Sequence, residues 1–182
     1  MSSSLTRLGL AAASMALAAL ASVAIAADNA GKTVVIRAID ANGVGASLGA
    51  LTLADTQSGL RIMPSLAGLT PGAHGMHVHQ NADCGAAAKD SAMTAGLKAG
   101  GHLDPANTGL HEGPFGKGHL GDLPYLMVDD KGKAAIGVVA PHLKIADVVG
   151  RAIVIHEGAD NYSDTPNPLG GGGGRIACGV VE

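Results

Sequence analysis

Apolar residues come in short runs, each closed by turn chemistry. Lys32 to Asp40, KTVVIRAID, sets apolar positions against polar ones in the manner of a strand, and Asn42-Gly43 behind it is a hairpin signal. Ser47 to Ala54 and Leu60 to Pro64 read as further strands, followed by the turn Pro71-Gly72 and the run MHVH. After a long irregular middle come Leu123 to Val128, the turn Asp129-Asp130-Lys131-Gly132, and Ala134 to Ala140. Ala152 to His156 and Arg175 to Val181 complete about eight strands at hairpin spacing, which predicts an all-β antiparallel sandwich or barrel. Beyond the first residues, no stretch of helical period competes with this reading.

Two segments fit no strand, Asn81 to Gly121 and Glu157 to Gly174. Loops of this length without structure of their own are uncommon and usually functional or disordered. Both are rich in His, Asp and Gly instead of the Ser, Lys and Glu of a solvated linker, so function is the expectation.

The chain begins differently. Arg7, an uncharged Ala/Leu-rich run from Leu8 to Val23, and Ala24-Ile25-Ala26 form the three parts of a secretory leader cleaved after Ala26. The run is short and weakly apolar for a membrane anchor. Residues 27–182 then make one domain of 156 residues, enough for a real core. Export changes the reading of Cys84 and Cys178, the only cysteines: one structural disulfide is favoured over two free thiols. No C-x-x-C pair supports a thiol-redox enzyme or a Cys-rich zinc module.

Charge and aromatic content exclude a further class. Residues 27–182 carry 11 basic and 15 acidic residues, and the whole chain has one Phe, two Tyr and no Trp. A broad nucleic-acid surface wants clustered Lys and Arg with stacking platforms, and neither is present.

Eight histidines remain to be explained: His74, His77, His79, His102, His111, His119, His142 and His156. Along a strand His77 and His79 face the same way and Val78 the other. Six of the eight lie in or beside the two long segments, together with Asp122 and Asp160. Imidazole is the commonest metal ligand and suits zinc and copper, and zinc also accepts a carboxylate. A metal site is therefore favoured over scattered surface polarity.

The pieces HGMHVHQNADC, GGHLDPANTGLHEGPFGKGHLGDLP, VIHEGADNYSDTPNPLGGGGGR and ACGVV, in that order, resemble the bacterial exported copper/zinc superoxide dismutases. The resemblance covers about Lys32 to Glu182. It implies an eight-stranded antiparallel Greek-key barrel with two long metal-site loops. It also implies a copper ion on His77, His79, His102 and His156, and a zinc ion on His102, His111, His119 and Asp122. His102 would be shared between the ions, Asp160 would tie His77 to His111, Arg175 would stand beside the copper channel, and Cys84 would pair with Cys178. The substrate implied is superoxide, the compartment the periplasm or the cell exterior, and a homodimer through uncovered strand faces is a further expectation. His102 and Arg175 would be the catalytic residues.

The residue types suit that chemistry. Neutral imidazoles tolerate both Cu(II) and Cu(I), where thiolates would bias the site to Cu(I). Two adjacent cations allow both nitrogens of His102 to lose their protons. Zinc has no redox chemistry, so its closed set of four would order the loop. Gly170 to Gly174, which alone reads as a flexible spacer, would let the backbone pass close to the metals. His74 is expected to be a hydrogen-bonded structural residue, His142 solvent-exposed, Tyr162 packed against the second loop, and Met76 apolar core where the family has Phe. Glu157 to Gly174 holds acids and no lysine, so Lys89 or Lys98 would have to help attract an anion. Two rival functions use the same residues. A three-histidine zinc hydrase or hydrolase, similar in ligand order to α-class carbonic anhydrases, leaves His111, His119, Asp122 and His156 without work. A non-catalytic copper or zinc carrier would be expected to have lost a ligand or the arginine, and here all are present.

Overall fold

The computed structural model describes residues 31–182, so the leader expected over residues 1–26 lies outside the described residues. Among the described residues twelve strands are formed: β1 (Lys32–Asp40), β2 (Gly43–Thr56), β3 (Gly59–Ala67), β4 (Gly72–His74), β5 (Met76–His79), β6 (Ala87–Lys89), β7 (Ala92–Thr94), β8 (Leu126–Val128), β9 (Lys133–Ala134), β10 (Val138–Ala140), β11 (Ala152–His156) and β12 (Arg175–Val180). The main antiparallel sheet runs β10-β3-β2-β1-β12-β11-β5, with β9 also on β3. Beyond β5, the adjoining β4 pairs with β8, and the turn at Asp129–Gly132 returns the chain from β8 to β9. The sheet thus curls back on itself as an all-β Greek-key barrel.

Alternation along the strands decides which residues fill it. In β1 Val34 and Ile36 are buried while Val35 and Arg37 are exposed, and in β3 Leu60, Ile62 and Leu66 point inward. Leu51, Leu53, Val78, Ile153 and Ile155 join them, and Met76 is fully buried as expected.

Several boundaries differ from the sequence reading, each for a visible reason. β2 and β3 are longer than expected because they share one ladder from Gly49↔Leu66 to Thr56↔Gly59. The run Ala134 to Ala140 is split into β9 and β10. The register Leu66↔Ala134 and Ile62↔Val138 sets Ile136 opposite Pro64, which has no N–H to donate. Inside the first long segment, Ala87 to Thr94 folds into the small β6-β7 hairpin, which its composition does not announce. One helical turn, α1 (Ile145–Val148), also forms, its first N–H groups held by Asp147 and Asp55.

Cys84 and Cys178 are joined in a disulfide across a sequence separation of 94, tying the start of the first long loop to β12. A cross-link closing so long a loop stabilises by roughly 4 kcal/mol on the chain-entropy account. Replacing both cysteines by serine is expected to lower the melting temperature by roughly 10 °C. An unchanged melting curve would remove the disulfide from the list of structural determinants.

Candidate metal centre

Three strand positions and two loops supply the site. β5 carries His77 and His79, paired with Val154 and Ala152 of β11, and Val78 between them points into the core. His156 ends β11 at a register shift from β12. The first long loop is pinned to β5 by isolated bridges that set His102 against His79 and Asp122 against His77. Backbone bonds Val78 N–H to Gly121 O, Leu103 N–H to Val78 O and Gly121 N–H to Leu103 O, each 2.8 Å, make that crossing rigid.

The side chains form two groups around His102. On one side, the ligand atoms of His77, His79, His102 and His156 all lie within 4.8 Å of one another, and all four residues are buried. The His102 ring stacks on His77 with centroids 3.9 Å apart and meets His79 at 5.1 Å. On the other side, Nδ1 of His102 and Nδ1 of His111 each stand 2.9 Å from an oxygen of Asp122, and Nδ1 of His119 stands 3.4 Å from Oδ1. A second quartet with ligand atoms within 4.8 Å of one another is His77, His102, His111 and Asp122, with His77 where the sequence reading has His119. His77 enters because its ring lies against His102.

Hydrogen bonds identify the free nitrogen of most rings. Nε2 of His77 donates to Asp160 Oδ2 at 2.7 Å and Nε2 of His111 donates to Asp160 Oδ1 at 2.8 Å, so Asp160 ties the two rings together. Nδ1 of His79 donates to the Gly100 carbonyl at 3.0 Å, and Nδ1 of His156 to the Gly173 carbonyl at 3.2 Å. Carboxylates and carbonyls only accept, so for His77, His79 and His156 the opposite nitrogen carries a lone pair. Six buried atoms are left without a well-aligned partner: Nδ1 of His77, His111 and His119, Nε2 of His79 and His156, and Oδ2 of Asp122. Buried polar atoms are rarely orphaned, and six gathered in two adjoining groups fit a pair of cations. Nitrogen donors alone on one side suit copper, and nitrogen with one carboxylate on the other suits zinc.

Ionisation points the same way. Burial pushes His79 down to about 2, helped by the nearby charges of His102 and Arg175. Burial also lowers His156 to about 3 and His102 to about 4, so all three are neutral and able to donate at neutral pH. Burial raises Asp122 and Asp160, but hydrogen bonds from their histidines outweigh it and hold both well below the usual carboxylate range. Arg175 is anchored by two backbone carbonyls, Nη1 donating to Gly96 O at 2.6 Å and Nη2 to Gly100 O at 2.7 Å.

Residues 47–181 match the family described as copper/zinc superoxide dismutase (SODC). The chain belongs to the copper/zinc superoxide dismutase family. It is 49% identical over 170 residues to the Superoxide dismutase [Cu-Zn] of Escherichia coli K12, covering 93% of this chain and 98% of that one. The Cu/Zn superoxide dismutase of Brucella abortus superposes with a TM-score of 0.82 at 46% identity, over 84% of this chain and 99% of that one. The monomeric copper, zinc superoxide dismutase of Salmonella enterica gives 0.77 at 50% identity, over 84% and 100%.

Family membership accounts for the donors, and the structure adds the groups that aim them. Sequence reasoning did not find the carbonyls of Gly96, Gly100 and Gly173, because backbone acceptors leave no residue-type signal. It also missed Asp164, which accepts from the N–H groups of His111 and Leu169 and so staples the two loops. His74 is the hydrogen-bonded residue expected, with contacts to the carbonyls of His156 at 2.7 Å and Thr70 at 2.8 Å. His142 is exposed, and Tyr162 packs on Tyr125 with its hydroxyl accepting the Tyr125 N–H.

Gly170 is the one member of the glycine run whose lack of a side chain is decisive. It has φ +75°, and a Cβ there would lie 2.0 Å from Asp160 Oδ1 and 2.8 Å from His111 Nε2. Gly170→Ala is expected to break the Asp160 bridge and weaken zinc retention about tenfold while the barrel stays folded. Unchanged zinc retention would show that the bridge does not depend on this close approach.

The metal-free protein carries a pH signature. Burial opposes a charge on His111, but Asp122 and Asp160 on its two nitrogens win and push it up to about 9. A raised histidine contributes stability that is full below about pH 6.5 and lost as pH rises through the folded value. The melting temperature of the metal-free protein is therefore expected to fall between about pH 7 and about pH 9.5, whereas zinc, replacing the proton on Nδ1, should flatten that fall. Equal pH dependence with and without zinc would contradict it.

Proposed function

We propose that this protein is an exported enzyme that dismutates superoxide to molecular oxygen and hydrogen peroxide, with copper held by His77, His79, His102 and His156 and zinc by His102, His111, His119 and Asp122. The observation that carries the assignment is the set of orphaned buried atoms on either side of His102. His77 spends Nε2 on Asp160 and has only Nδ1 to offer, so it serves one ion, and the buried Nδ1 of His119 beside Asp122 completes the second set. Copper held there would supply the one-electron chemistry that oxidises one superoxide and reduces the next, and zinc would order the loop.

The chain's own groups perform the rest. His102 has Nδ1 committed to the Asp122 side, which leaves Nε2 as the atom that can alternate between lone pair and N–H. A proton taken up there is handed to the departing peroxide, and a second from solvent completes H2O2. Arg175 presents a fixed positive charge whose two anchored nitrogens hold its plane still. Its remaining N–H donors attract and orient the superoxide anion. Lys98 stands in the turn between Gly96 and Gly100, with its side chain running past Gly85. Asp164 is occupied by backbone N–H groups and Asp160 by His77 and His111, so these two acids of the second loop have structural work.

The zinc hydrase reading leaves Asp122 and three of the five orphaned nitrogens, on His111, His119 and His156, unused, and the carrier reading leaves Arg175 held in place for nothing. The disulfide fits an oxidising compartment, the periplasm for a bacterial protein with this leader. Among the described residues no helix is long and apolar enough to cross a membrane. A homodimer would use the apolar face of Phe115, Tyr125, Met127 and Ile136, all exposed.

His156→Ala is expected to lose copper and superoxide consumption together while retaining zinc. Asp122→Ala should weaken zinc far more than copper. Metal analysis beside a superoxide-consumption assay checks both; full activity with zinc alone would discard the redox reading, and equal loss of both metals from folded Asp122→Ala would discard the split.

A further inference from the structure

The nitrogens that face away from the metal groups have an uneven fate. His77 and His111 give theirs to Asp160, His79 to Gly100 and His156 to Gly173, while both nitrogens of His102 face the two groups. His119 differs. Its Nδ1 is turned to Asp122, and among the described residues Nε2 has no protein hydrogen-bond partner and is not one of the orphaned buried atoms, so it reaches solvent. Metal-bound histidines nearly always donate their other N–H to a carboxylate, a carbonyl or water, so this one is open to an acceptor from solution.

His119 lines a cleft of about 310 Å³, within the size range of small-molecule sites. Its walls are apolar, from Pro105, Pro114 and Leu143, with the cationic group of Lys117 and the imidazole of His142 at its lining. The carboxylates around it already accept hydrogen bonds: Asp122 from His102, Asp104 from the Gly109 N–H and Thr108, and Glu112 from the Lys117 N–H. Lys117 and His119 are the hydrogen-bond donors beside its apolar surface.

We propose that this cleft binds a small carboxylate with an apolar body, which accepts from His119 Nε2–H and pairs with Lys117. The proposal rests on the assignment of His119 to zinc. An anion on Nε2 makes Nδ1 more basic, so occupancy of the cleft tightens the hold on zinc. The cleft would be an effector site outside the copper channel.

Benzoate is a suitable probe, with benzamide as its neutral counterpart, on the reduced copper- and zinc-loaded protein. Saturable NMR shifts of His119 and Leu143 are expected with benzoate, at millimolar affinity, and much weaker ones with benzamide. Lys117→Gln should weaken benzoate about threefold, as an exposed ion pair does. Saturating benzoate should slow zinc loss to a chelator by roughly tenfold. Unsaturable shifts, equal shifts with benzamide, or unchanged zinc release in protein of full zinc content would overturn the proposal. Full zinc retention by His119→Ala would instead overturn the ligand assignment, whatever benzoate does.

Discussion

One imidazole carries the architecture of the site. His102 lies against His77 and His79 on one side and reaches Asp122 on the other, so it belongs to both groups of donors. Burying so many imidazoles together is unfavourable unless their lone pairs are satisfied, and no protein donor is placed to satisfy them. The barrel solves the placement by dividing the labour. Strands β5 and β11 hold the residues that must not move, and the first loop brings His102, His111, His119 and Asp122 to them. Short bridges lock the crossing of that loop over β5.

The second loop works through orientation. Asp160 fixes two rings at once and is itself held by the Tyr162 N–H at 2.7 Å. Asp164 joins this loop to the first at His111, and Gly170 passes where no side chain fits. The Gly100 carbonyl accepts from both His79 and Arg175, so the buried histidine group and the guanidinium share one support.

Much of this was legible in the sequence, and the exceptions have physical causes. Strands β1 and β11 begin and end where their apolar residues and the flanking turn residues place them, because each run is closed by a clear stop. The break between β9 and β10 was hidden, since it depends on which strand lies opposite Pro64. The β6-β7 hairpin was hidden too, because its residues are small and weakly patterned. Histidine spacing together with the family resemblance pointed to residues that the fold gathers around His102; neither could say which nitrogen of each ring is free. That depends on acceptors such as Gly100 and Gly173, which any residue's backbone could supply. The closeness of His77 to the second quartet is likewise a product of ring stacking, invisible to spacing.

The account stands or falls on two different ions sharing the ring of His102. Crystals of the metal-loaded protein, with anomalous diffraction recorded on either side of the copper and zinc edges, test this directly. The expected result is copper alone on the His77, His79 and His156 side, zinc alone on the His111, His119 and Asp122 side, and the His102 ring between them. A single mixed site, or two ions with His102 bound to only one in the oxidised protein, would contradict it.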